Sequence, residues 1–171
     1  MEAKEHNTEF RTFEDLDVYK VAREFRKAMY GIARRLPEFE KYGLISQIRR
    51  AAVSLTNNIA EGHGRYHYLE QIKFMLQSRG SLEELIDDLN VCEDENYIEA
   101  EQIAALKERG WRVYKVSNGY IRFLRERKTG GSPAVHEQPP TCRYDDEDLD
   151  ELFSPARFND STIQRFNDLT I

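Results

Sequence analysis

The sequence predicts an all-α fold: an antiparallel up-down four-helix bundle followed by a disordered C-terminal tail. Three observations predict it. Apolar residues recur at steps of three and four over four long stretches, which puts them on one side of a helix each time. The stretches are parted by a few residues only, and Pro37, Gly62, Gly64 and Asn96 fall in the gaps. Beyond residue 128 the periodicity stops, and four of the five prolines lie there. Short connections favour antiparallel neighbours. Helices of about 20 to 30 residues, at 1.5 Å per residue, would be about 30 to 45 Å long.

Residues 1–12 are polar and are expected to be flexible. Phe13 and Leu16 are apolar anchors ahead of the first helix, and Asp15 or Asp17 can cap it. That helix is expected to run to about Leu36, where Pro37 stops it. Val18, Val21, Phe25, Ala28, Met29, Ile32 and Leu36 form its predicted buried face. Lys20, Arg23, Lys27 and Arg34 form a basic stripe on the other side.

The second helix is the one the others are arranged around. Leu44, Ile48, Ala51, Ala52, Leu55 and Ile59 make its apolar stripe. Beside it runs a polar stripe of Gln47, Arg50, Ser54, Asn57, Asn58 and Glu61. A plain surface helix would carry Lys and Glu there, so neighbours on more than one side are expected. Two readings of the polar stripe stay open: a hydrogen-bond network that fixes helix register, or a shared ligand or subunit contact. Gly62-His-Gly64 ends the helix, since each glycine costs roughly 1 kcal/mol inside one.

The third helix spans about Tyr66 to Asp94, with Leu69, Ile72, Met75, Leu76, Leu82, Leu85, Ile86 and Leu89 facing inward. Gly80 is expected to mark a close helix crossing. Glu83, Glu84, Asp87 and Asp88 are placed opposite the apolar face, as a solvated surface or a docking surface for something basic. The fourth helix covers about Glu99 to Lys128, with Ile103, Leu106, Gly110, Val113, Tyr114, Ser117, Ile121 and Leu124 inward. Trp111, Val116 and Phe123 fall outside that stripe. They either fill a second packed face or form an oligomer interface.

The bundle is thus expected over residues 13–128. Residues 129–171 read as a Pro/Gly linker and an acidic, disordered tail in which an Arg-Phe-Asn-Asp octapeptide is duplicated. The net charge of −6 comes wholly from that tail: residues 1–128 carry 22 bases and 22 acids, residues 129–171 carry 3 and 9. The two cysteines, Cys92 and Cys142, make neither a zinc spacing nor a disulfide framework, which fits a reduced, cytoplasmic setting. No signal core opens the chain, and no apolar run approaches the roughly 20 residues that span a bilayer.

Patterns that carry chemistry are missing from the sequence. No Glu has a His three residues later, as di-iron bundles require. His63 and His67 have helical spacing, but Gly62 and Gly64 argue against a continuous helix there. No phosphate-cradling glycine motif and no nucleophile elbow occur. Catalytic residues, metals, cofactors and small-molecule substrates are therefore not expected. What remains is charge. The basic stripe of the first helix can simply solvate it. Arg109, Arg112, Lys115, Arg122 and Arg125 of the fourth helix argue for more, because the two helices can be neighbours. Their joint face would then meet a phosphate backbone.

The motif string Phe13…Leu16-x-Val18-Tyr19…Ala22, Tyr42-Gly-Leu44…Gln47-Ile-Arg-Arg-Ala-Ala52…Asn58-Ile-Ala-Glu-Gly62…Arg65, Arg79-Gly-Ser-Leu-x-Glu-Leu85 and Tyr97-Ile98 resembles the four-helix-bundle proteins encoded in intervening sequences of bacterial 23S rRNA genes. The resemblance covers about residues 10–127. Tyr19 stands where that family commonly has Trp, and Leu55-Thr56 where it often has Ile-Pro. The resemblance implies a ring-like homo-oligomer, a pentamer. It also implies kinship with the accessory variability proteins of diversity-generating retroelements, basic bundles that bind nucleic acid and a reverse transcriptase. It implies no settled activity. The expected function is a non-enzymatic oligomer that binds RNA or a ribonucleoprotein through the first and fourth helices. The alternative is a protein–protein adaptor or structural oligomer with no nucleic-acid role.

Overall fold

The computed structural model describes residues 12–129. Expectations about residues 1–11 and 130–171, including the linker, the acidic tail, the octapeptide duplication and Cys142, lie outside the described residues. Four helices make up the fold: α1 Asp17–Ala33, α2 Leu44–His63, α3 Tyr68–Asp94 and α4 Ala100–Thr129. Short 3-10 turns, Phe13–Asp15 and Glu38–Tyr42, precede α1 and α2. The first turn is closed at Thr12, whose hydroxyl accepts from the Glu14 amide while its own amide donates to Asp15. α1 ends at Ala33, short of the expected Leu36. Pro37 disfavours helical backbone at Leu36, and the Arg35 amide already turns back to the Ile32 carbonyl at 2.8 Å.

Cross-helix contacts fix the direction of every neighbour. Along α2, Arg50, Ser54 and Leu55 meet Glu84, Ser81 and Ser78 of α3, so one chain ascends as the other descends. Arg79 of α3 reaches Asn118 of α4, and Lys107 of α4 reaches Glu93 of α3. Arg35, just past the end of α1, and Glu24 of α1 meet Gln102 and Arg109 of α4. Each helix thus runs antiparallel to the next, and α1 with α4 closes the bundle.

The core is one cluster, with Phe25, Met29, Ile48, Leu55, Ile59, Met75, Leu82, Leu85, Leu89, Ile103 and Leu124 fully buried. All six expected apolar residues of α2 are in it. On α1 the buried face is rotated slightly from the expected one: Tyr19, Ala22 and Ala33 are buried, while Val21 and Ala28 are half-buried.

The larger differences are on α3. Leu69 and Leu76 are 51% and 37% exposed, whereas Ser78, Ser81 and Asp88 are buried. Ser78 donates to the Leu55 carbonyl at 2.6 Å and Ser81 to Ser54 Oγ at 2.9 Å, so small polar residues take the position against α2 that leucine would hold too far away. The close crossing is not at Gly80, where an added Cβ would meet nothing within 4 Å. It is at Gly62, where that atom would lie 2.9 Å from Phe74 Cβ of α3, and at Gly110, where it would lie 3.2 Å from both Phe25 and Ile86. Asn96, at φ 55°, supplies the left-handed residue that ends α3.

Candidate nucleic-acid interface

Helix phase decides which bases share a surface. At about 100° per residue, Lys20, Arg23, Lys27 and Arg34 fall on one outward strip of α1, and all four are exposed. Arg109 and Arg112 lie on the flank of α4 that faces α1, and Arg109 Nη2 donates to the Glu24 carbonyl of α1 at 3.3 Å. Glu24 is the point where the two helices' charges converge. Lys27 donates to its carboxylate at 2.6 Å and holds its pKa below the ordinary value, with Arg23 and Arg109 adding to the effect. Lys20 has a weaker partner on its own helix, Asp17, at 3.7 Å.

The remaining bases of α4 do not join this surface. Lys115 is half-buried and by helix phase falls between the two flanks. Arg122 and Arg125 lie on the α3 side, Arg125 roughly 160° round the helix from Arg109. There, Asn118 accepts from Arg79 at 3.0 Å. The structure thus brings together Lys20, Arg23, Lys27, Arg34, Arg109 and Arg112, and separates Arg122 and Arg125 from them.

Part of the polar stripe of α2, Arg50 and Ser54, meets α3. Asn58 Nδ2 donates to the Ser54 carbonyl and hydroxyl at 2.9 and 3.1 Å, and Ser81 joins them from α3. Arg50 pairs with Glu84 at 2.6 Å, and Glu61 pairs with Arg65. Gln47 and Asn57 are exposed and make no side-chain hydrogen bond among the described residues. Of the three apolar residues of α4 outside the inward stripe, Val116 and Phe123 are half-buried against the core. Trp111, roughly 120–140° away round the helix, is 41% exposed and edge-on to Tyr114 at 5.8 Å.

Reasoning from the sequence misses Arg26 and Tyr30 and sets Arg49 aside from the basic surface. They lie where α1 meets α2, beside a groove of about 410 Å³ lined by Arg26, Lys27, Tyr30, Arg34 and Val53. Arg26 Nη1 donates to Thr56 Oγ1 across the helices at 2.7 Å, and the Arg49 guanidinium lies 5.5 Å from the Tyr30 ring centre. The signal was present: Arg26 and Tyr30 on α1, and Arg49 and Val53 on α2, are each four residues apart.

Asp88 and Cys92 form the one buried titratable pair on α3. Asp88, 6% exposed, has an Oδ2 with no hydrogen-bond partner. Burial, then repulsion from Glu84 and Asp87, pushes its pKa up to about 6, against some relief from Arg50. Burial also pushes the Cys92 thiol up to about 11, with Asp88 and Glu40 adding to it, the opposite of what an attacking thiolate needs. Among the described residues no group of His, Cys, Asp and Glu is arranged to hold a metal ion, and no helix is long and apolar enough to cross a membrane. His63 closes α2 and His67 stands on extended backbone before α3, so the two are not on one helix.

Residues 14–119 match the model of a protein family described as 23S rRNA-intervening sequence protein. No curated protein matches the chain.

Proposed function

The chain belongs to the 23S rRNA-intervening sequence protein family, and from that premise we propose that it is a non-enzymatic bundle that binds the phosphate backbone of RNA, alone or in a ribonucleoprotein, through the joined surface of α1 and α4. The observation that carries this reading is the convergence of Lys27, Arg23 and Arg109 on Glu24. One carboxylate facing three cations leaves a net positive surface, which Lys20, Arg34 and Arg112 extend. Arg34 and Arg112 have no ion pair among the described residues, so they are available to phosphate. Each phosphate they neutralise would release condensed counterion. A free, buried Cys92 suits the reduced, cytoplasmic setting of this reading.

The test is an electrophoretic shift with structured RNA over a salt series. Affinity should fall steeply with salt. Replacing Lys20, Arg23, Lys27 and Arg34 by Glu should abolish the shift, and unchanged binding would remove the surface named here.

A second reading is favoured by one observation. Trp111, Leu69 and Leu76 leave large apolar side chains exposed on α3 and α4, on helices where Glu83 and Asp87 are also exposed. A homo-oligomer, or an adaptor for another protein, would cover them. Light scattering with Trp111→Glu tests it: a drop in mass without loss of RNA affinity would separate assembly from RNA binding.

A further inference from the structure

Resting on the RNA reading above, we propose that the groove between α1 and α2 receives one unpaired nucleotide of a single-stranded segment, its phosphate against Lys27 and Arg34 and its base against Tyr30 and Arg49. Charge is the first argument. Three of the five lining residues are cations and none is an acid. The facing helix adds Arg49, and residues 44–60 of α2 contain no acidic side chain at all. Arg34 makes no ion pair or hydrogen bond with its side chain among the described residues. Lys27 is held by an exposed carboxylate, a pairing worth little in water, so it can exchange to a phosphate.

Shape is the second argument. A concave site of about 410 Å³ is of the size that holds one small ligand. A duplex offers its phosphates on a convex ridge and keeps its bases stacked inside, so it could touch the rim of the groove but leave its floor empty.

Lining chemistry is the third. A site for phosphate alone would have no use for Tyr30 and Val53. Splayed bases stack on tyrosine rings and on guanidinium planes. The Arg49 guanidinium already lies over the Tyr30 ring, and Arg26 is fixed by Thr56. The groove is therefore built before any ligand arrives.

The experiment uses fluorescence anisotropy of the full chain with a labelled single-stranded oligouridine and with an RNA duplex of equal length, at one ionic strength. Tyr30→Leu should weaken the single strand about tenfold and leave the duplex unchanged, while Tyr30→Phe, which keeps the ring, should bind both as the parent does. Arg49→Gln, at an exposed position, should repeat the selective loss and serves if Tyr30→Leu does not fold. Equal losses on both RNAs, or none on the single strand, would overturn the groove and leave the RNA reading standing. Failure of the parent to bind either RNA at low salt would overturn the RNA reading itself.

Discussion

Arg50 and Asp88 lie on facing sides of α2 and α3, but the guanidinium is committed to Glu84, one turn short of Asp88, at 2.6 Å. Asp88 is left buried with one carboxylate oxygen unpartnered. It is therefore a place where the fold carries a local cost. The acid belongs to the packed face of the helix by position, and to its wet face by chemistry.

The cost depends on pH, and its sign follows from the shift. The pKa of Asp88 is raised from 3.8 to about 6 in the folded chain. The folded state therefore holds its proton over a range where the unfolded state has lost it. Stability from this group is complete below about pH 4, declines as pH rises through 6, and is lowest above that. Asp88→Asn should stabilise the protein at pH 7.5 by about 1–2 kcal/mol and have little effect at pH 4. Urea denaturation of parent and variant at both pH values checks it; an equal difference at both would show that Asp88 does not titrate in this way.

The two glycines of α2 and α3 should respond in opposite directions to the same substitution. Gly80→Ala adds a methyl group to open space on a helix and should raise stability by about 0.5–1 kcal/mol. Gly62→Ala forces Cβ to 2.9 Å from Phe74 Cβ and should cost about 1–3 kcal/mol. Thermal unfolding of the two variants beside the parent reads both.

Cys92 should be silent in the native state. It is fully buried and its thiol is pushed up to about 11. In a Cys142→Ser variant, a thiol reagent at pH 8 should give no reaction until denaturant is added. Prompt stoichiometric labelling would mean that this part of α3 opens far more readily than its packing implies.

The bases of α4 should separate into two classes. Arg109→Glu with Arg112→Glu should weaken RNA binding at least tenfold and flatten its salt dependence. Arg122→Glu with Arg125→Glu, on the α3 flank, should change affinity by less than about twofold. Filter binding at two salt concentrations distinguishes them, and equal losses would mean that the RNA wraps α4.

The sequence was most legible where packing is purely apolar. On α2 every expected core residue is buried, because Ile and Leu at steps of three and four have no competing role. It was least legible on α3. Ser81, Leu85, Asp88 and Cys92 follow one another at steps of four, three and four, so the spacing of the inward face was there to read. The polarity of Ser81 and Asp88 conceals it, and the periodicity of Leu69 and Leu76 points inward in their place. Small residues win that face because a serine hydroxyl can satisfy a hydrogen bond with α2 at close range. At the candidate site the number of bases could be counted, but their grouping depended on helix neighbours. Arg26 and Arg49 acquire meaning only once α1 and α2 lie side by side, and Arg122 loses it once α4 is turned toward α3.

Gly110 stands immediately before Trp111 and after Arg109, and a Cβ on it would lie 3.2 Å from Phe25 of α1 and from Ile86 of α3 at once. A missing methyl in the interior therefore sets how deeply α4 sits, and with it the height of the Arg109 guanidinium above the α1 backbone. Interior and exterior are geared together at this residue: an alanine here would lift the arginine as well as loosen the core, so a purely internal substitution could be felt by whatever rests on the outside.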